Sequence, residues 1–237
     1  VVFDKIGHIV INYGGKVMKK KFLAGTMVAL MLSTGVSTSY AFNEIEDLSR
    51  AGTLGNKEEI PMPVNEWENI TIMGDATLTQ EQMKRFILNH NPHPKINCTL
   101  DEMVNLYYTE AEAEGVRPDV ALCQALKETG FFQYGGDVSP AQNNFCGLGA
   151  TGNGAPGFSF FSPQRGVRAH IQHLVAYAKK EAPKGELIDP RYEVLVTRYP
   201  QYHGTVEYWI GLNGRWAVPG NHYGQEILML WNEAKLY

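Results

Sequence analysis

Two capping boxes, at Thr79 and Thr99, constrain this chain more than any other feature of it. Thr79 stands three residues ahead of Gln82, and Thr99 three ahead of Glu102. In that pattern hydroxyl and carbonyl oxygens satisfy each other's backbone N–H groups at a helix start. Leu78 with Met83, and Cys98 with Met103, flank the two boxes as hydrophobic staples. One helix is expected from Thr79 to about Asn89, and a second from Thr99 through Val104, Tyr107 and Ala111 to a stop at Gly115. Pro118 stands where a first helical turn tolerates proline. Residues 119–129 then read as a short apolar helix ended by Gly130. Residues 131–161 have no helical period and are rich in Gly, Asn and aromatics; they read as a loop followed by a small β-hairpin over 145–161. Ser162-Pro163 restarts a helix with Val167, Ile171, Leu174, Val175 and Ala178 on one face, ended by Pro183. Asp189-Pro190 and Thr205 read as caps of further short helices, and Tyr223 begins the last helix, toward Trp231. The fold class is mainly α (α+β), with one small β element.

The charge of −4 over 237 residues is unevenly spread. Residues 1–41 hold five lysines and one acid, Asp4; the rest holds 16 basic and 24 acidic side chains, a net −8. An acidic body argues against nucleic acid, whose phosphates need a basic footprint, and against adhesion to anionic lipid. Within the basic start, Met18-Lys19-Lys20-Lys21 is followed by an apolar run from Phe22 to Val36 and by Ser39-Tyr40-Ala41. That is the pattern of a cleaved secretory signal, and the run is short for a membrane span. Residues 18–41 are expected to be the signal, residues 1–17 a translated leader, residues 42–69 a polar linker, and residues 70–237 the functional domain. The mature chain is expected outside the cell, secreted or wall-associated, with no membrane partner after cleavage.

The informative chemistry lies in Gln124-Ala125-Leu126-Lys127-Glu128-Thr129-Gly130. A carboxylate in the last turn of a helix meets the negative end of the helix dipole. Partial burial among Phe131, Phe132 and Tyr134 would disfavour its charge further. Both effects favour a protonated acid near neutral pH, which a glycosidase needs to protonate its leaving oxygen. Spacing alone leaves an ordinary solvent-facing Glu equally open.

The segment 120–130, followed by Asn143-Asn144-Phe145-Cys146-Gly147-Leu148, resembles the glucosaminidases of glycoside hydrolase family 73. Residues 158–177 and Gly214-Arg215-Trp216-Ala217-Val218-Pro219-Gly220-Asn221-His222-Tyr223 are similar to later segments of that family, so the resemblance covers about 70–237. It implies a lysozyme-like, two-lobed domain that cleaves the β-1,4 bond after N-acetylglucosamine in peptidoglycan glycan strands, as a monomer and without cofactor or metal. By position, Glu128 is the general acid and Tyr223 lines the groove. Asn143 and Asn144 shape the loop beneath it or touch sugar, and Phe131, Phe132 and Trp216 are candidates for sugar stacking or for core packing. The 145–161 segment holds no Asp or Glu where some relatives carry a second carboxylate, which leaves Asp137 as the nearest candidate. Either Asp137 activates water, or the substrate's N-acetyl group is the nucleophile.

The rivals are a muramidase or lytic transglycosylase on the same scaffold, and a non-catalytic wall-binding protein. His170 and His173 stand at i, i+3, which raises a metal site, although a partly exposed helix face is the plainer expectation. Cys98, Cys123 and Cys146 fit no zinc spacing and no disulfide framework; they read as small buried hydrophobes, with a Cys123–Cys146 bridge as the alternative.

Overall fold

The computed structural model describes residues 2–3, 8–13, 16–21, 69–152 and 154–237. The chain forms two compact units, Val1–Glu59 and Ile60–Tyr237. In the first, strands β1 (Val2–Phe3), β2 (His8–Tyr13) and β3 (Lys16–Lys21) make an antiparallel sheet in that order, with Ile11 opposite Met18. Of these strands, β3 spans the boundary drawn between leader and signal. The apolar part of the signal, residues 22–41, and the linker over 42–68 lie outside the described residues.

The second unit is mainly α and lysozyme-like. Its helices are α1 (Gln80–His90), α2 (Leu100–Glu114), α3 (Pro118–Thr129), α4 (Pro163–Ala178), α5 (Tyr192–Arg198) and α6 (Tyr223–Ala234). Both capping boxes form as the sequence requires. Thr79 Oγ1 accepts from Gln82 N–H at 3.2 Å while Gln82 Oε1 accepts from Thr79 N–H at 2.9 Å, and Thr99 and Glu102 repeat the exchange. Gly115 and Gly130 end α2 and α3 in the left-handed region, at φ 80° and 58°.

Helix α3 is the axis of the core. It packs against α2 and α6, and α4 packs against α2 and reaches α3 through His170. All of α3 is buried except Lys127 and Glu128, so the helix runs through the interior and surfaces at its last turn. Its first turn is fixed by Asp119, which is wholly buried. The Asp119 carboxylate accepts from Thr77 N–H and Oγ1–H, Leu78 N–H and Trp231 Nε1–H, at 2.9–3.1 Å. One side chain thereby ties the entry to α1 and the end of α6 to α3.

Of the small hairpin expected over 145–161, the described residues form one isolated antiparallel bridge, Gly152 to Ala155, without regular strands on either side. Gly147, Gly149, Gly152, Gly154 and Gly157 all stand at φ between 68° and 83°, which interrupts any extended run. Asn144 also takes backbone groups that a ladder would use. It accepts from Leu148 N–H and donates to the carbonyls of Leu148 and Phe158. Thr205 likewise caps no helix; its hydroxyl donates back to the Gln201 carbonyl. Asp189 does precede α5, accepting from Arg191 N–H at 2.8 Å.

This loop lies hard against α4. A Cβ added at Gly166 would stand 1.8 Å from the Asn143 carbonyl oxygen, a backbone atom. Gly166→Ala is therefore expected to destabilise by about 1–3 kcal/mol, the cost of overpacking, where an open helical site would gain from alanine. A higher urea midpoint for the variant would contradict this packing.

Candidate active site

Glu128 is solvent-exposed on one side, and protein surrounds it closely on the others. The surrounding protein raises its pKa above the ordinary carboxylate value of 4.5. A hydrogen bond from Tyr223 and the Lys127 charge oppose that rise, and Glu226 adds to it. Lys127 is itself bound to Glu226, and its Nζ lies 5.5 Å from the centre of the Tyr223 ring.

The turn after Glu128 explains the aromatic residues that follow it. Gly130, Phe131 and Phe132 are all left-handed, and Tyr134 is too. Non-glycine residues resist that conformation by about 1–2 kcal/mol each. Thr129 holds the turn, its Oγ1 accepting from Phe132 N–H and donating to the Ala125 carbonyl. The rings anchor it: Phe132 is fully buried and edge-on to Phe145, and Phe131 stacks on His90 with centroids 4.1 Å apart. The two phenylalanines therefore offer no open face to a sugar. They hold the turn after Glu128 from behind.

Asn143 and Asn144 are also buried, and both work within the loop. Asn143, left-handed at φ 50°, donates to the Phe160 carbonyl and accepts from Asn97 Nδ2. The loop they shape brings Gly147 to Glu128, where a Cβ would stand 3.6 Å from Oε2. Trp216 is half-buried, 4.9 Å from His173 between ring centroids. Asp137 sits on an exposed turn and accepts from Gly154 N–H.

Behind the carboxylate runs a chain of hydrogen bonds through four helices. Tyr223, buried on α6, donates its hydroxyl proton to Glu128 Oε1. Gln124, one turn before Glu128 on α3, donates Nε2–H to the Tyr223 oxygen at 2.8 Å. Gln124 Oε1 therefore faces His170 Nε2 on α4 at 2.9 Å, and that nitrogen must carry a proton. His170 Nδ1 is then bare and accepts from the Tyr107 hydroxyl on α2 at 3.0 Å. Burial pushes His170 down to about 3, with the His173 charge second, so the ring is neutral and keeps this tautomer. Every donor in the chain points toward Glu128. Burial, with the Glu128 charge next, lifts Tyr223 well above its ordinary value, so it stays a donor. Because Tyr223 occupies Oε1, the proton of the neutral acid resides on Oε2, the oxygen beside Gly147.

A family model described as glucosaminidase, mannosyl-glycoprotein endo-beta-N-acetylglucosaminidase, matches residues 104–236. The chain belongs to the glucosaminidase family. A Borreliella burgdorferi protein described as uncharacterized is 34% identical over 200 residues, covering 84% of this chain and 88% of that protein. No solved structure matches. This glucosaminidase domain is thus of glycoside-hydrolase type, with peptidoglycan as the implied substrate. Among the described residues no helix is long and apolar enough to cross a membrane.

Sequence reading missed most of the buried polar chain behind Glu128. Tyr107 was assigned to a helix face and Gln124 was quoted without a role. His170 and His173 were expected on a partly exposed face, yet both are buried, and His173 pairs with Asp189 at 2.7 Å. The available signal was a Gln one helical turn before Glu128, on the same face. Cys98, Cys123 and Cys146 are free, and burial lifts all three thiols, Cys98 to about 11. Cys123 is accordingly no nucleophile.

Tyr223→Phe removes a bond that lowers the Glu128 pKa. The basic limb of the pH–rate profile is expected to move to higher pH, because a protonated acid then survives further. A limb that stayed in place or moved down would break the assignment of that limb to Glu128.

Proposed function

We propose that this protein hydrolyses the β-1,4 bond after N-acetylglucosamine in peptidoglycan, with Glu128 as general acid. The observation that carries this reading is a helix-end carboxylic acid, exposed on one side, crowded by protein on the others and held at one oxygen by Tyr223. Crowding lets it hold its proton to higher pH than an ordinary carboxyl does, and the Tyr223 bond directs the proton to Oε2, from which it passes to the glycosidic oxygen. Such positioned proton transfer contributes about 10²–10⁴-fold.

The second group is the substrate's own acetamido oxygen. Glu226, the carboxylate whose charge reaches Glu128, is held by Lys127, and Asp137 is engaged on an exposed turn. The acetamido oxygen attacks the anomeric carbon as the protonated oxygen leaves. Water then opens the cyclic intermediate, with Glu128, now a carboxylate, as base, and configuration is retained. The alternative is a water attack with Asp137 as base, which inverts. The protein acts outside the cell, consistent with the signal pattern over residues 18–41.

Digestion of purified peptidoglycan, followed by borohydride reduction and mass analysis, tests the bond. Reduced N-acetylglucosamine ends are expected. Reduced or anhydro-muramic ends would move the enzyme to a muramidase or transglycosylase, and an absence of products from folded protein would favour a wall-binding role. Proton NMR of the first-formed anomer separates retention from inversion.

A further inference from the structure

A cavity of about 150 Å³ opens beside the catalytic loop, lined by residues 146–151, His173, Tyr177, Arg191, Arg215 and Trp216. Its wall includes Gly147, the same residue that stands against Glu128 Oε2. The two arginines set it apart. Arg165 and Arg168 are paired with Glu186 and Glu110, at 3.0 and 2.7 Å. Arg191 and Arg215 have no carboxylate within ion-pair distance among the described residues, and no carboxylate lines the cavity. Asp189, just behind, is committed to His173 and to the Arg191 backbone N–H. Both arginines are half-buried on pinned backbone, since the Arg215 carbonyl accepts from the Tyr177 hydroxyl at 3.1 Å. The Arg215 guanidinium also lies 5.2 Å from the centre of the Tyr202 ring. Two cations held without counter-ions, in a recess next to a catalytic acid, make a receptor for an anion.

We propose that this cavity is the subsite for a carboxylate carried by the muramyl unit of the substrate. The proposal rests on the peptidoglycan reading above and deepens it. A cavity of about 150 Å³ is ample for a carboxylate on its short stem. Neutral polymers of N-acetylglucosamine lack this group, whereas each muramyl unit bears a lactyl carboxyl, free or extended by a peptide that carries carboxylates of its own. The two arginines thus supply selectivity for wall glycan over neutral amino-sugar polymers.

The test is calorimetric binding to the full chain carrying Glu128→Gln, so that ligands persist. Three probes are used: an N-acetylglucosaminyl-muramyl disaccharide with a free lactyl acid, its methyl ester, and the same disaccharide bearing an alanyl-glutamate stem. The free acid or the stem form is expected to bind at least about tenfold tighter than the ester, and whichever is tighter names the source of the carboxylate. Arg191→Gln with Arg215→Gln should bring that ratio to about one. Arg191→Lys with Arg215→Lys should retain part of it, which separates charge from packing. Equal affinities for acid, stem form and ester, or a ratio that survives in the glutamine pair, overturn the proposal. Hydrolysis by the wild type is scored separately. An enzyme that cleaves wall glycan without carboxylate discrimination sinks the subsite alone; a protein that discriminates but cleaves nothing sinks the catalytic reading and leaves the subsite standing.

Discussion

Glu128→Gln is expected to lose about 10²–10⁴-fold of glycan hydrolysis and to melt at or above the wild-type temperature at neutral pH. The first effect follows from removal of the proton donor. The second follows from linkage. The Glu128 pKa is raised in the folded protein, chiefly by the protein around it, so the folded state holds this proton to higher pH than the unfolded chain does. Wild-type stability therefore falls as pH rises from the unfolded carboxylate value, 4.5, to the folded one. Glutamine titrates nowhere and suffers no such loss, while its carbonyl still accepts from Tyr223. Below about pH 4 both side chains are neutral, and the difference in melting temperature should close. Release of reducing ends and thermal melts at pH 4 and 7 measure both effects. Activity within a few-fold of wild type would remove Glu128 from the chemistry, and a variant less stable at pH 7 would contradict the raised pKa.

Asp119→Ala is expected to be the most destabilising single change in the helical unit, by roughly 3–5 kcal/mol, because several buried donors lose their acceptor at about 1–3 kcal/mol each. Thr77, Leu78 and Trp231 all donate to one fully buried carboxylate. A domain of this size holds about 5–15 kcal/mol in total, so much of the margin goes. The loss also reaches the site, since Trp231 fixes α6, which carries Tyr223. Asp119→Asn keeps one acceptor oxygen and should fall between the two. Urea unfolding measures this, and an alanine variant within 1 kcal/mol of wild type would show that water or relaxation replaces the carboxylate.

How much of this was legible in advance depends on how far apart the interacting residues lie. The starts of α1 and α2 were readable because Thr79 meets Gln82 and Thr99 meets Glu102 within one turn. The end of α3 was readable because Gly130 alone relieves the left-handed stop. The hairpin over 145–161 misled because alternating aromatics and glycines satisfy the strand pattern, yet five glycines at positive φ and the Asn144 side chain leave no ladder to form. Phe131 and Phe132 stayed open between sugar stacking and core packing because their sequence position, after the candidate acid, says nothing of which way a left-handed turn throws the rings.

Legible along the chain were the starts of α1, α2 and α3, the stops of α2 and α3 at glycine, and a helix-end Glu that precedes an Asn-Asn loop in a glucosaminidase-like order. Those features are local, held by bonds between residues three or four apart. Packing alone set the Tyr107–His170–Gln124–Tyr223 chain behind Glu128, the Asp119 tie at the other end of α3 and the Arg191–Arg215 recess. Each joins side chains dozens of residues apart, and each depends on burial. A hydrogen bond that water would exchange freely becomes a fixed constraint once packing excludes the water, and no spacing along the chain records which groups packing will enclose.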